Sequence, residues 1–146
     1  MKVKQISVFL ENKPGSLSRP VQVLAQAKLN ILAMSVADTQ QFGIMRFIVQ
    51  DWERAMNLLK KEGFVVKVTD MVAIEVSDAP GGLAAILTSL ENTHVNLEYM
   101  YGFTQRKEGK GLLVFRFDDP DTAIEALRKR DINPVRTVEL FQGLGN

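Results

Sequence analysis

The sequence predicts an α+β fold in which one βαββαβ unit is copied twice. Two observations predict it. The first is a long internal repeat. Asn12-Lys13-Pro14-Gly15-Ser16-Leu17 recurs as Asp78-Ala79-Pro80-Gly81-Gly82-Leu83, with Pro80 standing 66 residues after Pro14. Leu24, Asn30 and Met34 then match Leu90, Asn96 and Met100. After a two-residue insertion the spacing becomes 68, and Gly43, Phe47, Asp51, Ala55 and Leu59 match Gly111, Phe115, Asp119, Ala123 and Leu127. A repeat of this length is a duplicated domain, so residues 1–69 and 70–146 read as two units. The second observation is the apolar period. It switches in each copy between the two-residue alternation of a strand and the three-and-four spacing of a helix.

The elements follow in order. Ile6, Val8 and Leu10 alternate with Gln5, Ser7 and Phe9 as a first strand, which Pro14-Gly15 ends. Leu17, Val21 and Leu24 share one helical face, with Ser16 as the expected N-cap. Pro20 is tolerated near the helix start, where backbone N–H groups lack intrahelical partners anyway. Asn30 to Ala37 reads as a second strand and Gly43 to Gln50 as a third, joined by a hairpin at Thr39-Gln40-Gln41. Asp51 caps a helix from Trp52 to Glu62, Gly63 stops it, and Val65 to Val68 forms a fourth strand.

The second copy repeats the order: strand Val72–Val76, helix Leu83–Glu91, strand Asn96–Phe103, strand Leu112–Phe117, helix Asp121–Lys129, strand Val135–Leu140. The charged loop Gln105–Lys110 is expected to be solvated and mobile, and Phe141–Asn146 to be a tail. Only Thr69-Asp70 separates the copies, too little for a flexible linker, so a fixed relation between them is expected. Two right-handed crossovers over one antiparallel sheet give a ferredoxin-like sandwich with helices on one face. The expected sheet order is 4-1-3-2, with strands two and four at the edges.

Composition excludes several function classes. The chain has 146 residues, and its formal net charge of +1 gives no basic stripe for a nucleic acid. There is no Cys and one His, His94, so thiolate or histidine-cluster metal sites are excluded and no cofactor is expected. No stretch approaches the ~20 apolar residues of a membrane span. The start, Met1-Lys2-Val3-Lys4-Gln5, lacks a signal-peptide core. A cytoplasmic protein is expected. Met34, Met45, Met56, Met71 and Met100 fall at apolar phases and read as core. Arg128, Lys129 and Arg130 complement a helix C-terminus. Asp118, Asp119 and Asp121 around Pro120 read as a helix start. Nothing pairs a nucleophile with a base, so no enzyme is expected.

The duplicated loop carries the chemistry. A strand ends, Pro-Gly turns the chain and a helix begins, so free N–H groups and the positive helix end converge there. Gly15 and Gly81 allow close approach to the backbone. Asn12 and Asp78 add a side-chain oxygen suited to an ammonium group. The set suits a zwitterion, carboxylate on the amides and ammonium on Asn or Asp. Pro-Gly before a helix is also a common turn, and Asn30 and Asn96, which open the second strands before Ile31 and Leu97, are also favoured loop residues.

These residues are where the sequence resembles a family. The pattern Asn/Asp-x-Pro-Gly-x-Leu, a helix, then Asn-Ile/Leu opening a strand, resembles the ACT domain over nearly the whole chain. The resemblance implies amino-acid-binding regulatory modules, paired side by side through their second strands, with ligand between the first loop of one and the second strand of the other. Carried over, one site comprises Asn12, Gly15, Ser16 and Leu17 with Asn96 and Leu97. The other comprises Asp78, Gly81, Gly82 and Leu83 with Asn30 and Ile31. Asp78 in place of Asn12, and Gly82 in place of Ser16, imply that the two sites differ. The implied partners are a free L-amino acid and an enzyme or regulator of amino-acid metabolism. Two alternatives stay open: an ACT-type transcriptional regulator working through protein partners, and an interaction module that has lost its ligand.

A homodimer is expected on separate grounds. Ile44, Ile48, Leu112 and Val114, with Phe9 and Leu32, fall on the sheet face away from the helices. A one-sided antiparallel sheet is normally polar there.

Overall fold

The fold is described from a computed structural model, over residues 1–104 and 109–143. The chain divides into two compact units, Lys4–Thr69 and Asp70–Asn146, the latter joined by Met1–Val3.

In the first unit, β1 (Lys2–Glu11) leads to α1 (Ser18–Gln26), β2 (Ala33–Thr39), β3 (Phe42–Ile48), α2 (Trp52–Lys61) and the start of β4 (Val65–Ser77). The order is β4-β1-β3-β2, as the repeat predicts. β3 pairs antiparallel with β1 (Ile6 opposite Phe47, Glu11 opposite Phe42) and with β2 (Met34 opposite Phe47, Thr39 opposite Phe42). Directly opposed residues share a face, so Ile6, Val8, Met45 and Phe47 point together at the helices. They are buried there with Leu24, Val49, Ala55 and Leu59.

The second unit builds the same core from matching positions. β4 pairs with β6 (Lys110–Phe117), which pairs with β5 (Leu97–Gly102). Val72, Ile74, Phe115 and Phe117 pack on Ala123 and Leu127 of α4 (Pro120–Arg128) and on Ile86 of α3 (Gly82–Ser89). The Phe115 and Phe117 rings stack with centroids 5.8 Å apart. The caps are duplicated too. The Asp51 carboxylate accepts from the Arg54 amide at 3.2 Å, and that of Asp119 from the Thr122 amide at 3.1 Å. Gly63, at φ +86°, ends α2 as expected.

Three expectations are corrected. First, Val65–Val68 and Val72–Val76 are not separate strands but parts of β4. Thr69-Asp70 contains neither Pro nor Gly, and the flanking valines hold the chain extended. Second, Val135–Leu140 is not a strand. The Val135 N–H donates to the Ala73 carbonyl at 2.9 Å, and Thr137–Gly143 then forms the helix α5. The start of β1 occupies the position the missing strand would take. Lys2 pairs with Asp121 at 3.0 Å, and its carbonyl accepts from the Thr137 hydroxyl at 3.0 Å. Third, the sheet face away from the helices is not a free apolar patch. Ile48 and Val114 are 0% exposed and Leu32 is 9% exposed; Phe9, at 42%, remains open. In the second unit Met71 and Ala73 are buried on this face as well. Most of the loop Gln105–Lys110, and the last three residues of the tail, lie outside the described residues.

Candidate functional site

The repeated loop folds the same way in both units. The Ser16 amide donates to the Lys13 carbonyl at 3.2 Å, and the Gly82 amide to Ala79 at 3.0 Å. Between them Gly15 and Gly81 take φ of +82° and +87°. Pro at the second position and a left-handed Gly at the third define a type II turn, which requires that glycine. The turn is pinned from behind. The Asn12 amide donates to Gln41 and the Asp78 amide to Gly109, each at 3.0 Å, so each hairpin tip holds the loop of its own unit. The Asn12 side-chain nitrogen also reaches the Gln40 carbonyl at 3.4 Å.

The helices that follow start differently. α1 begins at Ser18, and its N-cap is Leu17, which has no capping side chain. Ser16 is thus a turn residue and not the expected cap; the Ser18 hydroxyl instead donates to the Gly15 carbonyl at 3.0 Å. α3 begins at Gly82, directly after the left-handed Gly81. Its matching residue in the first copy is Ser16, so α3 starts two positions earlier. A side chain at Gly82 is excluded by the Ser77 carbonyl oxygen, which would lie 2.1 Å from a Cβ.

Each loop lines an open cavity within its own unit, of about 480 Å³ in the first and 440 Å³ in the second. Both fall within the ~300–1,000 Å³ of small-molecule sites. Gly15 and Ser16 line the first, with Phe9, Lys13, Arg19 and Phe64. Asp78 and Leu83 line the second, with Phe103, Leu112 and Leu113. Asn12, Leu17, Gly81 and Gly82 belong to the turns but do not line these walls. In the first cavity Lys13 pairs with Glu11 at 2.6 Å. That bond, and the ammonium charge, hold the Glu11 carboxyl below its ordinary range.

Asn30-Ile31 and Asn96-Leu97 lie elsewhere. Asn30 and Ile31 precede β2, which starts at Ala33, and Asn96 precedes β5 by one residue. The Asn96 amide donates to the Asp118 carboxylate at 2.9 Å, and its carbonyl accepts from the Asp118 amide at 3.1 Å. The pairing register fixes where these segments sit in their own units. The Pro-Gly turns follow Glu11 and Ser77, at the sheet ends marked by Phe42 and Lys110. β2 and β5 begin at the opposite ends, beside Ile48 and Phe117. At about 3.3 Å per residue, the seven residues of β2 separate Asn30 from its own loop by ~23 Å. A single small ligand cannot touch both segments of one unit.

Arg19, Phe64 and Lys13 were not among the residues anticipated from sequence. They have no counterparts in the second copy, and the repeat drew attention to what the copies share. Among the described residues no group of acidic and histidine side chains could hold a metal ion, and no helix is long and apolar enough to cross a membrane.

Known proteins share this fold. The chain is similar to protein BT0572 from Bacteroides thetaiotaomicron, at 36% identity and a TM-score of 0.89, over 97% of both chains. It resembles the ligand-free regulatory subunit of aspartate kinase from Thermus thermophilus, at 16% identity and a TM-score of 0.64, over 86% of this chain and 91% of that one. The corresponding subunit from Thermus flavus gives 15% and 0.60, over 86% and 90%. At those identities the aspartate kinase subunits share the fold alone. No curated protein matches the sequence. The model of the ACT domain pair matches residues 1–142, and the chain belongs to that family.

Proposed function

We propose that this protein is an amino-acid-binding regulatory protein and not an enzyme. Its ACT domains, 1–69 and 70–146, each present one Pro-Gly turn to a free L-amino acid. The observation that carries this reading is the duplicated turn. In both copies a left-handed glycine, a hairpin-pinned backbone and a helix start border a cavity of small-molecule size. The helix start favours the ligand carboxylate. Asn12 or Asp78 at the turn suits the ammonium.

Each site is completed by the start of the second strand of the other copy. Asn96 and Leu97 serve the Asn12 loop, and Asn30 and Ile31 the Asp78 loop. The ~23 Å between loop and Asn30 within one unit supports such crossing, because one copy alone cannot supply both. Met34 and Val36 support pairing through β2. They point to the helix side of an edge strand, yet are 41% and 50% exposed. A homodimer would cover them. Ligand binding then favours the closed pairing by its differential affinity, and an enzyme or regulator of amino-acid metabolism reads that state.

Calorimetry with the common L-amino acids tests the reading. At least one should bind, with its deaminated and esterified analogues much weaker. At about 100 times its dissociation constant it should stabilise the fold by ~2.7 kcal/mol. No heat and no stabilisation with any of them leaves an interaction module without a ligand.

A further inference from the structure

We propose that the first unit's cavity takes an acidic L-amino acid, with Arg19 holding the side-chain carboxylate, and that the second unit's cavity does not. This rests on the amino-acid reading above and adds the class of ligand.

Arg19 lies in the first turn of α1, on the wall of the cavity that Gly15 and Ser16 border. Its guanidinium is held in place. One Nη donates to the Glu62 carbonyl at 3.1 Å, and the group lies over the Phe64 ring, 5.0 Å from its centroid. Arginine has five N–H donors, and this bond uses one. A guanidinium held over a ring can offer its free N–H groups to a planar carboxylate through two parallel bonds. Among the described residues no carboxylate pairs with Arg19. The other charges on the wall, Lys13 and Glu11, neutralise each other at 2.6 Å. The cavity therefore carries one uncompensated positive charge beside the turn.

The second copy lacks every part of this device. Arg19 is matched by Ala85, Phe64 by Ile132, Lys13 by Ala79 and Glu11 by Ser77. The Phe64–Ile132 match is structural as well. The Phe64 amide donates to Leu59 and the Ile132 amide to the matching Leu127, each at 3.0 Å. Among the described residues that line the second cavity, Asp78 alone is charged. A ligand side-chain carboxylate there would face the Asp78 carboxylate, and no described residue on that wall corresponds to Arg19.

The test is calorimetry on the full chain with L-aspartate, L-glutamate, L-asparagine and L-glutamine. One acidic ligand should bind per chain, about tenfold or more tighter than its own amide, as expected for a hydrogen bond to a charged group. Arg19→Gln should abolish that preference and leave the amide's affinity unchanged; Arg19→Lys should restore part of it. Arg19 is exposed, so both variants should fold, which circular dichroism checks. Equal affinity for acid and amide overturns the inference. So does an Arg19→Gln variant that loses both equally, since Arg19 would then hold the α-carboxylate common to all. If neutral amino acids bind and acidic ones do not, the amino-acid reading stands and this inference alone falls. If nothing binds, both fall.

Discussion

A Cβ at position 82 would sit 2.1 Å from the carbonyl oxygen of Ser77. That contact explains why the second copy has Gly where the first has Ser16. α3 starts directly against the end of β4, whereas α1 starts two positions later and leaves room for a side chain. Backbone cannot yield cheaply to such a clash. Gly82→Ser, which installs the first copy's residue, should destabilise the second unit by about 1–3 kcal/mol or more. The converse change, Ser16→Gly, should cost less than about 1 kcal/mol, through unfolded-state entropy. Urea unfolding of both variants checks this, and equal losses would contradict the asymmetry.

The α4 cap makes a pH prediction. Hydrogen bonds from the Thr122 hydroxyl, then from the Thr122 amide, hold the Asp119 carboxyl below its ordinary range. A depressed carboxyl binds fewer protons in the folded state than in the unfolded one near the ordinary aspartate pKa of 3.8. Its stabilisation is therefore complete above that pH, and is lost as pH falls through the lower folded value. Thr122→Val removes the hydroxyl donor, the largest cause. Acid titration followed by circular dichroism should show a smaller acid-side stability loss in Thr122→Val, and a smaller one still in Asp119→Asn. An Asp119→Asn protein with the acid profile of the wild type would refute the linkage.

Most of the fold was legible because the repeat reports twice on each element. Phe47 with Phe115, Ala55 with Ala123 and Leu59 with Leu127 mark matching core positions in matching elements. What was not legible depended on parts that are not duplicated. Val135–Leu140 has the apolar alternation of a strand, but its place beside β4 is taken by Lys2 and Val3, which only tertiary structure reveals. The burial of Ile48 and Val114 was hidden for a related reason, since period two gives a residue's face and not what covers that face. At the loop, the type II turn was readable from Pro14-Gly15 and Pro80-Gly81. The placement of Arg19 over Phe64 was not, because the two lie 45 positions apart in the chain.

Burial also changes what substitution at the outer sheet face should do. Val114 is 0% exposed. Val114→Asp therefore should not give a folded monomer. It places an unpaired charge in a closed interior, at about 3–5 kcal/mol, and should unfold the second unit. Val36, 50% exposed on the edge strand β2, is the better probe of association. Val36→Asp should keep the circular dichroism spectrum and halve the sedimenting mass. A wild-type chain that sediments as a monomer at high micromolar concentration removes the homodimer from the proposal.

The crossing of sites between copies has the sharpest signature. Within one unit, Asn30 lies ~23 Å from the Pro14-Gly15 turn along β2. Asn96 is likewise at the far end of β5 from the Pro80-Gly81 turn. A substitution at either asparagine should therefore act on the other copy's ligand and not on its own. The amides of Gly15 and Gly81 serve as separate reporters in a nuclear magnetic resonance titration with a bound amino acid. Asn96→Ala should weaken the response at Gly15, and Asn30→Ala that at Gly81. Each loss should be about 1.5–3 kcal/mol, the usual worth of a hydrogen bond to a charged group. If Asn96→Ala weakens the Gly81 response and spares Gly15, the effect arises within one copy. The crossed arrangement is then wrong, although amino-acid binding at the turns survives.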